Sequence, residues 1–131
     1  MSHIALIAHD SKKADLVGFL ADREQWLWGR NFVATGLTAE VLEKGLKLNV
    51  QHVAPGREGG FLELTRLAEA GELAMVIFFR DPEITQDYEA DVAEFVRTCI
   101  RKNIPLASNP ASAELLIVGM IRMEQVKAAK S

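Results

Sequence analysis

The chain has 131 residues, 49% of them apolar and 25% charged, and 15 Lys and Arg set against 18 Asp and Glu leave a formal net charge of −3. That size fits one domain over residues 1–131 whose core needs no metal or disulfide staple, and the single Cys99 excludes an internal disulfide. Interspersed charges give no broad basic footprint for duplex nucleic acid, and with no apolar stretch of about 18 residues and no basic leader the expectation is a cytoplasmic protein with no membrane contact.

The first apolar run, His3–Ala8, reads as a strand, and its loss of polar alternation from Ile4 onward suits a parallel sheet covered on both faces. His9 and Asp10 follow directly, with Lys12 and Lys13 next along the chain. An imidazole, a carboxylate and ammonium groups at a strand's carboxyl end can bind an anionic substrate and manage its protons. The same stretch also fits a plainer reading, in which Asp10 or Ser11 caps the next helix and both lysines are solvated. Leu16, Phe19, Leu20 and Leu27 then keep an i, i+3/i+4 spacing, while Asp15, Asp22, Arg23 and Glu24 fall outside it, so one helical face packs on the sheet. Trp26 and Trp28 suit either an interface or packing on the core.

A second strand is expected at Asn31–Thr35. The turn Thr35-Gly36-Leu37-Thr38 behind it places hydroxyls and backbone N–H groups where phosphate binds, although turn and capping chemistry explains it equally well. A third strand, Leu48–Val53, leads into Pro55-Gly56-Arg57-Glu58-Gly59-Gly60. The glycines there permit either close approach of a ligand or a tight turn. In the helix Phe61–Ala70, the residues Phe61, Leu64 and Leu67 share one face, so Phe61 either packs against its neighbours or forms an aromatic wall for a ligand.

The fourth strand, Met75–Phe79, ends in Arg80-Asp81-Pro82, where Asp81 is a catalytic candidate or a cap or partner of Arg80. Val92, Phe95, Val96 and Cys99 repeat the helical spacing and place Cys99 in the core. A fifth strand at Pro105–Ala107 is followed by Asn109-Pro110, a common helix start. Ala113, Leu116, Ile117 and Met120 mark the buried face of the last helix, and Gln125–Ser131 reads as its fraying end. The alternation βαβαβαβαβ predicts an α/β fold of three layers, with a five-stranded parallel sheet and ligands beyond the carboxyl ends of the strands. The loops to watch are residues 9–13, 35–38, 55–61, 80–91 and 108–112.

Taken in order, HIALIAHDSKK, ATGLT, GREGG, VIFFRDP and NIPLASN resemble the methylglyoxal synthase family over about residues 3–118. The resemblance implies a homohexameric lyase that converts dihydroxyacetone phosphate to methylglyoxal and phosphate without metal or organic cofactor. It implies phosphate-binding roles for Lys13, Thr35, Gly36, Thr38 and Gly56, and active-site roles for His9, Asp10, Asp81 and Asp91. Four positions depart from the family pattern. Phe61 stands where the base aspartate is expected, Tyr88 where a carbonyl-polarising histidine is expected, Leu37 for a threonine and Pro55 for a serine. A hydrocarbon ring accepts no proton, so the elimination is expected to be lost or strongly reduced unless Glu58 or Glu63 substitutes. The alternatives are a changed substrate, a non-catalytic sensor of small molecules like related domains of carbamoyl phosphate synthetase, or an assembly protein that binds no ligand.

Overall fold

A computed structural model describes residues 2–46 and 48–130. Five parallel strands, β1 (His3–Ala8), β2 (Phe32–Thr35), β3 (Val50–Val53), β4 (Leu73–Phe79) and β5 (Leu106–Ala107), form one sheet in the order β3-β2-β1-β4-β5. The expected strands are present; β4 starts two residues earlier than its apolar run indicated, and β3 two residues later. β1 is central, paired to β2 with Ile4 opposite Phe32 and to β4 with Ala8 opposite Phe79. Its residues from Ile4 to Ala8 are buried because helices cover both faces, and that is why the run lacks polar positions.

On one face lie α1 (Lys13–Ala21), α2 (Glu24–Leu27), α3 (Gly36–Leu46) and α6 (Pro110–Ala129), whose Leu16, Leu20, Leu42, Ala113 and Ile117 pack with Leu6, Ile77 and Phe79. On the other lie α4 (Gly60–Glu69) and α5 (Glu89–Arg101), whose Phe61, Leu64, Phe95 and Cys99 pack with Ile7, Val76 and Phe78. The alternation of β4 is visible here: Met75, Ile77 and Phe79 point to the first layer, Val76 and Phe78 to the second.

The single helix expected from Leu16 to Leu27 is two. The chain leaves α1 at Asp22, and Arg23 sits outside helical geometry while its Nη1 donates to the carbonyl of Phe19 at 2.8 Å and its guanidinium pairs with Glu114 of α6. Arg23 therefore satisfies an end carbonyl of α1 and ties the break to α6. Trp26 is buried with its ring edge toward Phe32, whereas Trp28 is 71% exposed. Asn109 does start α6: its Oδ1 accepts from Ser112 N–H at 2.9 Å, with Pro110 in the first turn. Leu116 and Met120 are only partly buried, and Leu115 and Met123 stand exposed on the outer side of α6. The helix continues to Ala129; Ser131 of the expected fraying end lies outside the described residues.

The glycines before α4 have separate duties. Gly59 takes φ +94°, a left-handed conformation that starts the helix, while a Cβ on Gly60 would lie 2.0 Å from the carbonyl oxygen of Ala54. Gly60→Ala is expected to cost more than about 3 kcal/mol, beyond ordinary overpacking, because backbone must move. Gly59→Ala, strained in φ but not crowded, should cost about 1–2 kcal/mol. Equilibrium urea unfolding of both variants measures the difference, and equal losses would contradict it.

Candidate active site

The carboxyl end of β1 lies where the strand order reverses, since β2 and β3 extend to one side of it and β4 and β5 to the other. Ligands in open α/β sheets bind at such a switch point. A cavity of about 60 Å³ opens there, lined by His9, Asp10, Lys13, Thr35, Leu37, Pro55, Gly56, Arg57, Phe61, Gln86 and Tyr88 over Ile7, Ala8 and Phe78. A much larger groove of about 840 Å³ lies between α2 and α6, away from the strand ends.

His9 is the most constrained polar group. The backbone N–H of Asp81 donates to its Nδ1 at 2.7 Å, and its ring edge meets Phe78 at 5.5 Å between centroids. An Nδ1 that accepts a hydrogen bond carries no proton, so the neutral ring holds its proton at Nε2. That Nε2 is buried without a partner among the described residues. Burial first, then the positive charge of Arg80, holds the imidazole below its ordinary value of 6.5. His9 is thus a neutral donor at the cavity, 6% exposed.

Asp10 and Ser11 do not cap the following helix. The chain makes a short 3-10 turn at Asp10–Lys12 without a side-chain cap, Asp10 Oδ1 pairs with Lys13 Nζ at 2.6 Å, and Ser11 donates to Asp81 Oδ2 at 2.7 Å. Lys13 also donates to the carbonyl of Ala8 at 3.0 Å and is only 16% exposed, so it is fixed to the strand end and not solvated. The hydrogen bond and charge of Lys13 hold the Asp10 carboxyl below the usual carboxylate range.

The other expected site residues divide. Thr35 and Gly56 line the cavity with His9, Asp10 and Lys13, whereas Gly36, Thr38, Asp81 and Asp91 do not. Thr38 is buried with its hydroxyl 3.4 Å from that of Thr35, and Gly36 lies against the Pro55 ring. The Asp81 carboxylate turns toward Ser11 and the N–H of Glu83, into a neighbouring concavity with Lys12, Arg80 and Asn109; its hydrogen bond to His9 comes from the backbone. Asp91 lies in the first turn of α5, its N–H bonded to the Tyr88 carbonyl at 3.0 Å. Glu58 and Glu63 are outside the lining.

Phe61 points inward. It is 3% exposed, with ring centroids 5.5 Å from Phe78, 5.8 Å from Phe95 and 5.8 Å from Tyr88, the last stacked at 27°. Packing and lining are therefore both its state: the ring belongs to the second core layer and forms the cavity wall. Tyr88 leans across Gly56, where an added Cβ would lie 2.8 Å from its Cε2, and burial raises its phenol above the ordinary value, so the hydroxyl stays protonated. Arg57 and Gln86 also line the cavity, and sequence reasoning gave neither a role. A cation between glycines in a strand-end loop was the available signal for Arg57; Gln86 sits in an irregular loop and offered none.

A family model described as the MGS-like domain matches residues 23–108. The chain is 38% identical over 117 residues to the methylglyoxal synthase of Carboxydothermus hydrogenoformans, covering 89% of this chain and 97% of that one. The chain belongs to the methylglyoxal synthase-like family. It is 41% identical over 119 residues to the methylglyoxal synthase of Cupriavidus taiwanensis, covering 91% and 90% of the two chains. The crystal structure of methylglyoxal synthase from Elizabethkingia anophelis superposes with a TM-score of 0.82 at 36% identity, covering 88% of this chain and 76% of that one. The five-stranded α/β fold of this family member thus agrees with that of a solved synthase. Among the described residues no helix is long and apolar enough to cross a membrane.

The state of His9 sets a pH dependence. The unfolded ring gains a proton as pH falls through about 6.5 while the folded ring resists, so the unfolded state binds more protons just below that pH. Stability should rise with pH up to about 6.5, then level off. Asp10, shifted down by Lys13, contributes stability that is lost only lower, as pH falls through the acid carboxylate range. His9→Asn keeps an acceptor for the Asp81 N–H and removes the titration. Its melting temperature should lose the slope that sets in just below about pH 6.5 and keep the acid limb; an unchanged slope would show that His9 is not responsible.

Proposed function

We propose that this methylglyoxal synthase homologue binds phosphate or a small phosphorylated metabolite in the strand-end cavity, and that its conversion of dihydroxyacetone phosphate to methylglyoxal and phosphate is lost or strongly reduced. The observation that carries this reading is the buried, stacked ring of Phe61 in the cavity wall, at the position where the family resemblance places the base.

The elimination begins with removal of a carbon-bound proton by a carboxylate. Asp10 is the sole carboxylate among the lining residues, and its charge is already committed to Lys13 at 2.6 Å, which makes it a weak base. His9 carries its proton at a buried Nε2 and cannot take another while the Asp81 N–H occupies Nδ1. Tyr88 keeps its hydroxyl proton. What remains suits binding: an ammonium, a guanidinium, an imidazole N–H and a threonine hydroxyl around a small polar space. Donors without a base also fit a sensor that binds its ligand without chemistry. A single domain over residues 1–131, a homohexamer, a cytoplasmic setting and the need for no cofactor belong to the same reading, and sedimentation velocity tests the assembly.

Phosphate at millimolar concentration should raise the melting temperature by mass action. The shift should disappear in Lys13→Ala; no shift in the parent, or an equal shift in the variant, would remove the proposed site.

Turnover of dihydroxyacetone phosphate should fall at least ~10²-fold short of ordinary enzymes, the lower value for general-base catalysis. Phe61→Asp should raise methylglyoxal formation measurably while costing about 3–5 kcal/mol of stability, since it removes a ring and places a carboxyl among aromatic groups. Because Phe61 and Tyr88 are stacked, Phe61→Asp with Tyr88→His should exceed the sum of the single gains. If folded variants give no more product than the parent, a base missing at this position is the wrong explanation.

A further inference from the structure

Donor capacity around the cavity is unevenly distributed. Lys13 has three N–H donors, and two are used, by Asp10 Oδ1 at 2.6 Å and the carbonyl of Ala8 at 3.0 Å. The Thr35 hydroxyl is directed at Thr38. His9 contributes one free N–H, at the buried Nε2. Arg57 has five donors in a planar fork and no hydrogen bond or ion pair among the described residues. Lys13 and Arg57 set against Asp10 leave the cavity lining one net positive charge, and Arg57 holds the uncommitted donors.

The position of Arg57 is set by the turn that carries it. It lies in the 3-10 turn Gly56–Glu58, closed by the N–H groups of Glu58 and Gly60, which both donate to the carbonyl of Pro55 at 2.8 and 3.1 Å. The space it faces is small. About 60 Å³ is far below the about 300–1,000 Å³ of sites that enclose a whole small-molecule ligand. Phe61 and Tyr88 close one side by stacking, and Tyr88 leans on Gly56.

The geometry points to a pocket selective for a compact tetrahedral oxyanion, free inorganic phosphate rather than a phosphorylated triose, with Arg57 as the residue that decides affinity. This rests on the reading that the cavity binds anions. Arg57 supplies a bidentate pair of charge-assisted hydrogen bonds, and the remaining Lys13 proton takes a further oxygen. A carbon chain attached to the phosphate meets the rings of Phe61 and Tyr88.

Titration calorimetry of the full chain with inorganic phosphate and with glycerol 3-phosphate, an unreactive ester of the same charge class, tests both parts. Phosphate should bind at least about tenfold more tightly than the ester, and Arg57→Gln should weaken phosphate binding about tenfold or more. Arg57 is exposed, so the variant keeps the fold, which circular dichroism checks. Equal or tighter binding of glycerol 3-phosphate would overturn the selectivity. Phosphate binding that is lost in Lys13→Ala but unchanged in Arg57→Gln would overturn the role of Arg57 and leave the anion site in place. Absence of binding by the parent chain would overturn both.

Discussion

The hydrogen bond from the Asp81 backbone to His9 Nδ1 joins the carboxyl ends of β1 and β4, the two strands that flank the switch point of the sheet. It fixes which imidazole nitrogen holds the proton, and with that it fixes the polarity of the cavity floor. The bond depends on register. Ala8 is opposite Phe79, and His9 N–H donates to the Phe79 carbonyl, so each strand delivers its next residues to a set position. Lys13 is held from the same end, by the carbonyl of Ala8. A central strand buried on both faces has little freedom to shift, and the polar groups inherit that rigidity.

Phe61 joins stability to chemistry. Its ring fills the second core layer against Phe78 and Phe95 and stacks on Tyr88, so a residue at the mouth of a polar pocket is also a core residue. An aspartate there would have to remain charged beside three aromatic rings, at a substantial desolvation cost. The aromatic choice favours packing over proton transfer. Tyr88 and Phe61 act together for the same reason: each supports the orientation of the other, and a change at one is felt at both.

Much of the fold was legible in the sequence. The five strands followed from apolar runs, of which Ile4–Ala8 and Val76–Phe79 lack polar alternation, and the order of strands and helices implied a parallel sheet with sites at the strand ends. The break between α1 and α2 was not legible, because it depends on Arg23 pairing with Glu114, 91 positions along the chain. In the site, His9, Asp10, Lys13, Thr35 and Gly56 converge because each is fixed close behind a strand end. Asp81 follows a strand end too, yet its carboxylate turns away: a side chain's direction after a strand is set by local hydrogen bonds, here to Ser11 and Glu83, that spacing does not encode. Arg57 was overlooked because a charged residue in a glycine loop looks solvated until the loop's fold shows what it faces.

Cys99 lies one turn beyond Phe95 on α5, fully buried, with its thiol pushed up to about 11 by burial alone. Sulfur in that state is chemically silent until the α4–α5 layer lifts from the sheet. An electrophile added to the native protein therefore runs as a stopwatch, and its reading is the interval between openings of the layer that contains Phe61. The chain thus carries its own reporter of how tightly the wall of the cavity is shut, and a bound anion that tightens that wall would register as a slower clock at an atom it never touches.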